Sequence, residues 1–101
     1  MNLIFLLELG IELMYLILVY DVGVERVSKV NKFLKAYLMW IQNSVFEGEI
    51  SEKLFNRMKQ RLIKIITDED SVIIYALTTE SYIERLIFGN EKGFSKNVIW
   101  L

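Results

Sequence analysis

Tyr-Leu-Ile-Leu-Val-Tyr, residues 15–20, runs six apolar or aromatic side chains together and stops at Asp21. The run is too short for a helix and shows no polar alternation. It reads as a strand buried on both faces, hence a central strand of a sheet. Val22-Gly23 then breaks the chain. From Val24 to Ala36 the apolar residues Val27, Val30 and Leu34 recur at i, i+3 and i+7. Arg26, Lys29, Lys32 and Lys35 fill the other faces, which predicts an amphipathic helix.

Working outward, Leu38–Gln42 is a second strand, Asn43-Ser44 a turn, and Val45–Glu49 (VFEGE) an alternating third strand. Ser51 fits a helix N-cap, with Glu52 in the favourable first turn. That helix should reach about Ile66 and bury Leu54, Phe55, Met58, Leu62 and Ile65. Its opposite stripe, Lys53, Arg57, Gln60, Arg61 and Lys64, is polar and mostly basic. An acidic loop, Thr67–Asp70, precedes a fourth strand, Ser71–Leu77. Thr78–Gly93 is less regular, with a short strand segment at Glu84–Phe88, and Asn97–Leu101 is a terminal strand. The order β-α-β-β-α-β plus an extra C-terminal strand predicts an α+β, ferredoxin-like fold with both helices on one face of an antiparallel sheet. The other face then needs a cover, which sheet-to-sheet packing in a homodimer would supply.

Upstream, Met1–Tyr20 is nearly all apolar but carries Glu8 and Glu12. Two carboxylates inside the span and no flanking Lys or Arg argue against a membrane helix, and no secretory signal pattern is present. The expectation is a cytoplasmic protein with no membrane partner. Residues 1–13 read as an N-terminal extension, and residues 14–101 as a single domain beginning at Met14.

The 101 residues contain no Cys and no His. That excludes disulfides, thiolate zinc sites and Cys- or His-based nucleophilic catalysis. Chemistry would rest on carboxylates, hydroxyls, Lys, Arg or an oxygen-bound hard metal ion. The net charge is −1, yet Glu25–Lys64 holds nine Lys/Arg against four Asp/Glu. The middle of the chain is thus a basic block suited to a phosphate backbone, or simply a solvated helix face. Asp21 ends the first strand, where scaffolds present functional groups, although Asp also serves turns and helix starts. Two copies of Asp21 across a two-fold axis would hold one Mg²⁺, its shell completed by water. Ser44 suits a phosphate or a water as well as a turn, and Phe46 suits a stacked base as well as a core. Lys29 shares the ambiguity of the basic stripe. VFEGE does not match the aromatic third strand of RNA-recognition modules.

Two segments carry a resemblance. MYLILVYDV (Met14–Val22) resembles the opening strand of the CRISPR-associated protein 2 family, with its terminal Asp. WIQNSVFEGE (Trp40–Glu49) resembles that family's Q-x-S-V-F-x-G segment, one helix further on. SVIIYAL and NVIW are similar to its fourth and C-terminal strands, so the likeness covers about residues 14–101. The resemblance implies a ferredoxin-like homodimer that binds DNA and/or RNA. It also implies a possible endonuclease activity dependent on Mg²⁺ (or Mn²⁺) and a place beside the integrase subunit in spacer acquisition. It makes Asp21 the metal-linked carboxylate, Tyr20, Ser44 and Phe46 its neighbours, and Arg26 a phosphate contact. Some relatives carry a basic residue where this chain has Trp40. A toxin-like ribonuclease of the virulence-associated D type and a purely structural DNA-bridging dimer are the competing readings.

Overall fold

The computed structural model describes residues 13–77, 82–89 and 97–100. Among these residues there are six strands: β1 (Leu13–Asp21), β2 (Met39–Gln42), β3 (Val45–Ser51), β4 (Ser71–Leu77), β5 (Tyr82–Gly89) and β6 (Asn97–Trp100). They form one sheet in the order β2-β3-β1-β4-β5-β6, with every neighbouring pair antiparallel. The helices are α1 (Val24–Leu34) and α2 (Glu52–Ile65). The part β2-β3-β1-β4 with two helices is the ferredoxin-like arrangement, and β1 lies between β3 and β4, as its continuous apolar run requires.

Alternation along the strands decides what each face does. Leu16, Leu18 and Tyr20 of β1 are buried with Phe46 and Ile50 of β3 and with Val72, Ile74 and Ala76 of β4. Val30 and Leu34 of α1 and Phe55, Met58 and Leu62 of α2 close over them in the same cluster. The opposite face carries Ile17, Val19, Ile73, Tyr75 and Leu77, all only partly buried in the single chain, and Tyr15, which is exposed.

Two expectations change. The short segment expected at Glu84–Phe88 is a full strand, because β5 pairs along the whole of β4 from Ser71↔Gly89 to Leu77↔Ile83, and the expected terminal strand, β6, pairs onto β5. The free edge of β4 overrides the weak local pattern of Tyr82–Gly89, which Glu84 and Arg85 interrupt. Leu54, expected inside, is 42% exposed, because it sits in the first turn of α2, where its amide donates to the Ser51 hydroxyl at 3.2 Å. Ser51 is thus the N-cap the sequence predicts. Among the described residues no helix is long and apolar enough to cross a membrane. The expectation for residues 1–13 falls almost wholly outside the described residues; Leu13 itself belongs to β1 and pairs with Ser51.

Candidate functional site

Asp21 is the last residue of β1, and its side chain is exposed. By strand alternation it lies on the face of Ile17 and Val19, away from the helices. The turn Asn43-Ser44 reaches it from the neighbouring hairpin, because the Tyr20 amide donates to the Ser44 carbonyl at 3.1 Å. Asn43 takes a positive φ of 42°, which Asn tolerates better than most residues. Tyr20, Asp21, Val22, Val27, Asn43 and Ser44 together line an open pocket of about 310 Å³. The strand end and the turn meet because they adjoin in the β1–β3 ladder, where Val19 pairs with Val45.

The pocket therefore brings together Asp21, Ser44 and Tyr20. It does not bring in the ring of Phe46. That side chain has no exposed surface, and its ring centroid lies 6.2 Å from that of Tyr20, itself only 5% exposed. In this structure both rings belong to the helix-side core. Trp40 is half-exposed and braces the turn: its indole N–H donates to the Asn43 carbonyl at 2.8 Å, and the Lys35 ammonium lies 4.7 Å from its ring centroid.

A second cluster adjoins the same strand end, because Asp21 pairs with Ser71, the residue after Asp70. Asp70 is fully buried, and its carboxylate accepts four hydrogen bonds. Arg26 donates from Nε to Oδ2 at 2.6 Å and from Nη2 to Oδ1 at 2.8 Å. The Gly23 amide donates to Oδ1 and the Thr67 amide to Oδ2, each at 2.9 Å. The Arg26 hydrogen bonds hold the Asp70 carboxyl well below the usual carboxylate range, and the two amides add to this against the opposing effect of burial. Arg26 is raised above its ordinary value by the same hydrogen bonds. Its remaining Nη1 donates to Glu25 at 2.7 Å. Arg26, expected on phosphate, thus has its guanidinium turned inward onto Asp70.

The other cations expected at a phosphate surface are all exposed: Lys29 on α1, and Lys53, Arg57, Arg61 and Lys64 on α2. Arg61 Nη1 also donates to the Tyr37 hydroxyl at 3.3 Å, which links α2 to the segment after α1. This basic surface lies on the helix side of the sheet, whereas Asp21 lies at a strand end on the other side.

The oxygen donors of the pocket suit a hard cation such as Mg²⁺: the Asp21 carboxylate, the Ser44 hydroxyl and the Asn43 amide oxygen. Among the described residues no group of three or more His, Cys, Asp or Glu could hold a metal ion. A single chain therefore offers one carboxylate and would need water or a second copy to complete a shell. Asp21 was legible from its place at the end of an apolar run. Asp70 was not, because Asp68, Glu69 and Asp70 look alike in sequence and only the fold turns the third one inward.

Known proteins resemble this chain in sequence and in fold. The family model described as CRISPR associated protein Cas2 matches residues 14–85, from β1 into β5. A protein of Pyrococcus furiosus named CRISPR-associated endoribonuclease Cas2 is 53% identical over 87 residues, which is 85% of this chain and 100% of the relative. One of the same name from Methanothermobacter thermautotrophicus is 51% identical over 80 residues, 78% of this chain and 88% of the relative. A solved structure titled "Crystal structure of cas2" superposes with a TM-score of 0.64 at 44% identity, covering 86% of this chain and 99% of the other. The strand-end aspartate, the turn beside it and the family match over β1 to β5 lead to one conclusion: this chain belongs to the CRISPR associated protein Cas2 family.

Proposed function

We propose that the chain is a CRISPR-associated endonuclease of adaptation, a homodimer that hydrolyses phosphodiester bonds at a site built from Asp21 of both copies. The observation that carries this is the placement of Asp21. It is an exposed carboxylate at the end of the central strand, on the sheet face left without helices, beside a pocket lined by hydroxyl and amide oxygens. Relatives about half identical to it are named endoribonucleases, so RNA is the first substrate to try and DNA the second.

The uncovered face is apolar enough to seek a second copy. Packing two such faces about a two-fold axis would place the Asp21 carboxylates near each other. They would hold Mg²⁺ or Mn²⁺, with Ser44 and Asn43 within reach of its water shell. Such an ion supplies an activated water and neutralises charge on the phosphate, which suits a chain without His or Cys. In the reaction a water oxygen bonds to phosphorus, one P–O ester bond breaks, and the proton passes to the leaving oxygen. The role of the chain's own groups is to hold the cation (Asp21), to orient a phosphate oxygen or water (Ser44) and, on the helix side of the sheet, to bind more distant nucleic-acid backbone (Lys29, Lys53, Arg57, Arg61, Lys64). The same basic surface would carry DNA to the integrase subunit during spacer capture.

A structural reading, DNA bridging without catalysis, draws on the single carboxylate per chain. Labelled RNA and DNA oligonucleotides incubated with wild type and Asp21→Asn, with and without EDTA, distinguish the two. Cleavage by wild type alone, abolished by EDTA, supports the nuclease. Equal cleavage by both proteins refutes it. No cleavage by either, with DNA binding intact, establishes the bridging role. An RNA-cleaving gene found away from any integrase gene and repeat array would favour the toxin-like ribonuclease.

A further inference from the structure

Four parts of the chain converge on Asp70. Gly23 and Arg26 come from the β1–α1 connection and the first turn of α1, and Thr67 comes from the α2–β4 loop. The fourth is Gly89, at the end of β5, which pairs with Ser71 and has φ of 84°. A Cβ placed on Gly89 would collide with the Asp70 carbonyl oxygen, so no side chain fits where β5 passes that residue. Asp21 is held in this junction, because it pairs with Ser71 and precedes the Val22-Gly23 connection. We infer that Asp70, gripped by Arg26, is a positioning residue for Asp21: it fixes the Val22-Gly23 connection and so aims the strand-end carboxylate. This inference rests on the reading of Asp21 as the cation-holding group.

The physical argument is one of geometry. A carboxylate at the last position of a strand has a ladder on one side of it only. The next two residues are free to turn unless something holds them. Here the Gly23 amide is held by Asp70 Oδ1, and Asp70 is held in turn by the Arg26 fork and the Thr67 amide. Two parallel N–H···O bonds fix orientation as well as distance, which a single contact does not. The arrangement also assigns Arg26. With two of its nitrogens on Asp70 and a third on Glu25, its fork already serves carboxylates, so it acts here on the protein and not on phosphate. Groups that orient a metal-holding or catalytic residue typically change affinity or rate by about 10- to 100-fold when altered.

The test uses the full chain and the variants Asp70→Asn and Arg26→Lys, with Arg26→Ala added for the salt dependence. Asn keeps the size of Asp70 and loses the charge; Lys keeps the charge of Arg26 and loses the fork. Mn²⁺ affinity, kcat and KM for cleavage, and the salt dependence of nucleic-acid affinity are read together. Leu62→Ala, a core change on α2 whose side chain makes none of the Asp70 hydrogen bonds, serves as a destabilised control, assayed well below its melting temperature. The expected result is weaker Mn²⁺ binding and a kcat lowered about tenfold or more in Asp70→Asn and Arg26→Lys, with KM and salt slope unchanged and the control near wild type. Wild-type kcat and Mn²⁺ affinity in Asp70→Asn would overturn the inference, as would an equal loss in the Leu62→Ala control. A salt slope flattened by Arg26→Ala, with kcat intact, would return Arg26 to phosphate and also overturn it. Asp21→Asn, run alongside, separates the two levels. If Asp21→Asn is inactive while Asp70→Asn is normal, only the positioning role fails; if Asp21→Asn is fully active, the reading of the site fails.

Discussion

Replacing Phe46 by Ala should cost about 4 kcal/mol of stability, because the ring is fully buried in the core and its removal leaves a cavity. Phe46 pairs with Leu18 of β1 on one side and Trp40 of β2 on the other, and its ring packs near Tyr20. The void would therefore open between two sheet ladders and the helices, where the backbone cannot easily collapse. A domain of this size holds roughly 5–15 kcal/mol in total, so the loss is a large fraction. It corresponds to a fall in Tm of roughly 15–30 °C. Phe46→Leu conserves most of the volume and should cost under about 1.5 kcal/mol. Urea titration followed by circular dichroism, at one fixed protein concentration, measures both. The reasoning is refuted if Phe46→Ala loses less than about 1 kcal/mol with an unchanged m value. It is also refuted if Phe46→Leu folds normally yet no longer cleaves or binds nucleic acid, since the ring would then act on substrate.

Gly89→Ala should destabilise the chain, because a Cβ there has no room against the Asp70 carbonyl and the residue sits at positive φ; the left-handed backbone alone accounts for about 1 kcal/mol, read from thermal melts. Acid should act through Asp70. Its folded-state pKa lies below the unfolded value, so its contribution is complete above the ordinary carboxylate range and is lost as pH falls through the folded value. Wild type should therefore lose stability steadily below about pH 4, and Asp70→Asn should lose less over the same interval in urea titrations at each pH. Arg57→Ala with Arg61→Ala, both exposed on α2, should flatten the salt slope of duplex-DNA affinity by about 1.8 if each contacts one phosphate; an unchanged slope would mark the stripe as a solvated face.

Much of the fold can be read from local signals. YLILVYD marks the central strand because burial on both sides leaves no place for polar alternation. Ser51 marks the start of α2 because an orphan amide there needs an acceptor. β5 is poorly legible because its pairing depends on the edge that β4 offers and not on its own pattern. Of the site, Asp21 and Ser44 can be found from position alone, one at a strand end and one in a tight turn. The Asp70 junction cannot, because its partners lie 47 and 44 residues away for Gly23 and Arg26. Sequence separation of that size leaves no periodic trace. Phe46 lies in a marker segment, but alternation alone does not say which face of β3 is the core.

The proposed site requires Asp21 to act as a pair across a two-fold axis. Wild type and Asp21→Asn, carrying different affinity tags, can be unfolded together in equal amounts and refolded so that subunits mix at random. If both carboxylates of a dimer are needed, only dimers with two wild-type copies cleave, and the mixture should show about a quarter of wild-type activity. Activity of about half, with the mixed dimer purified through both tags cleaving at half the wild-type rate, would mean that each Asp21 works alone and would contradict the shared site.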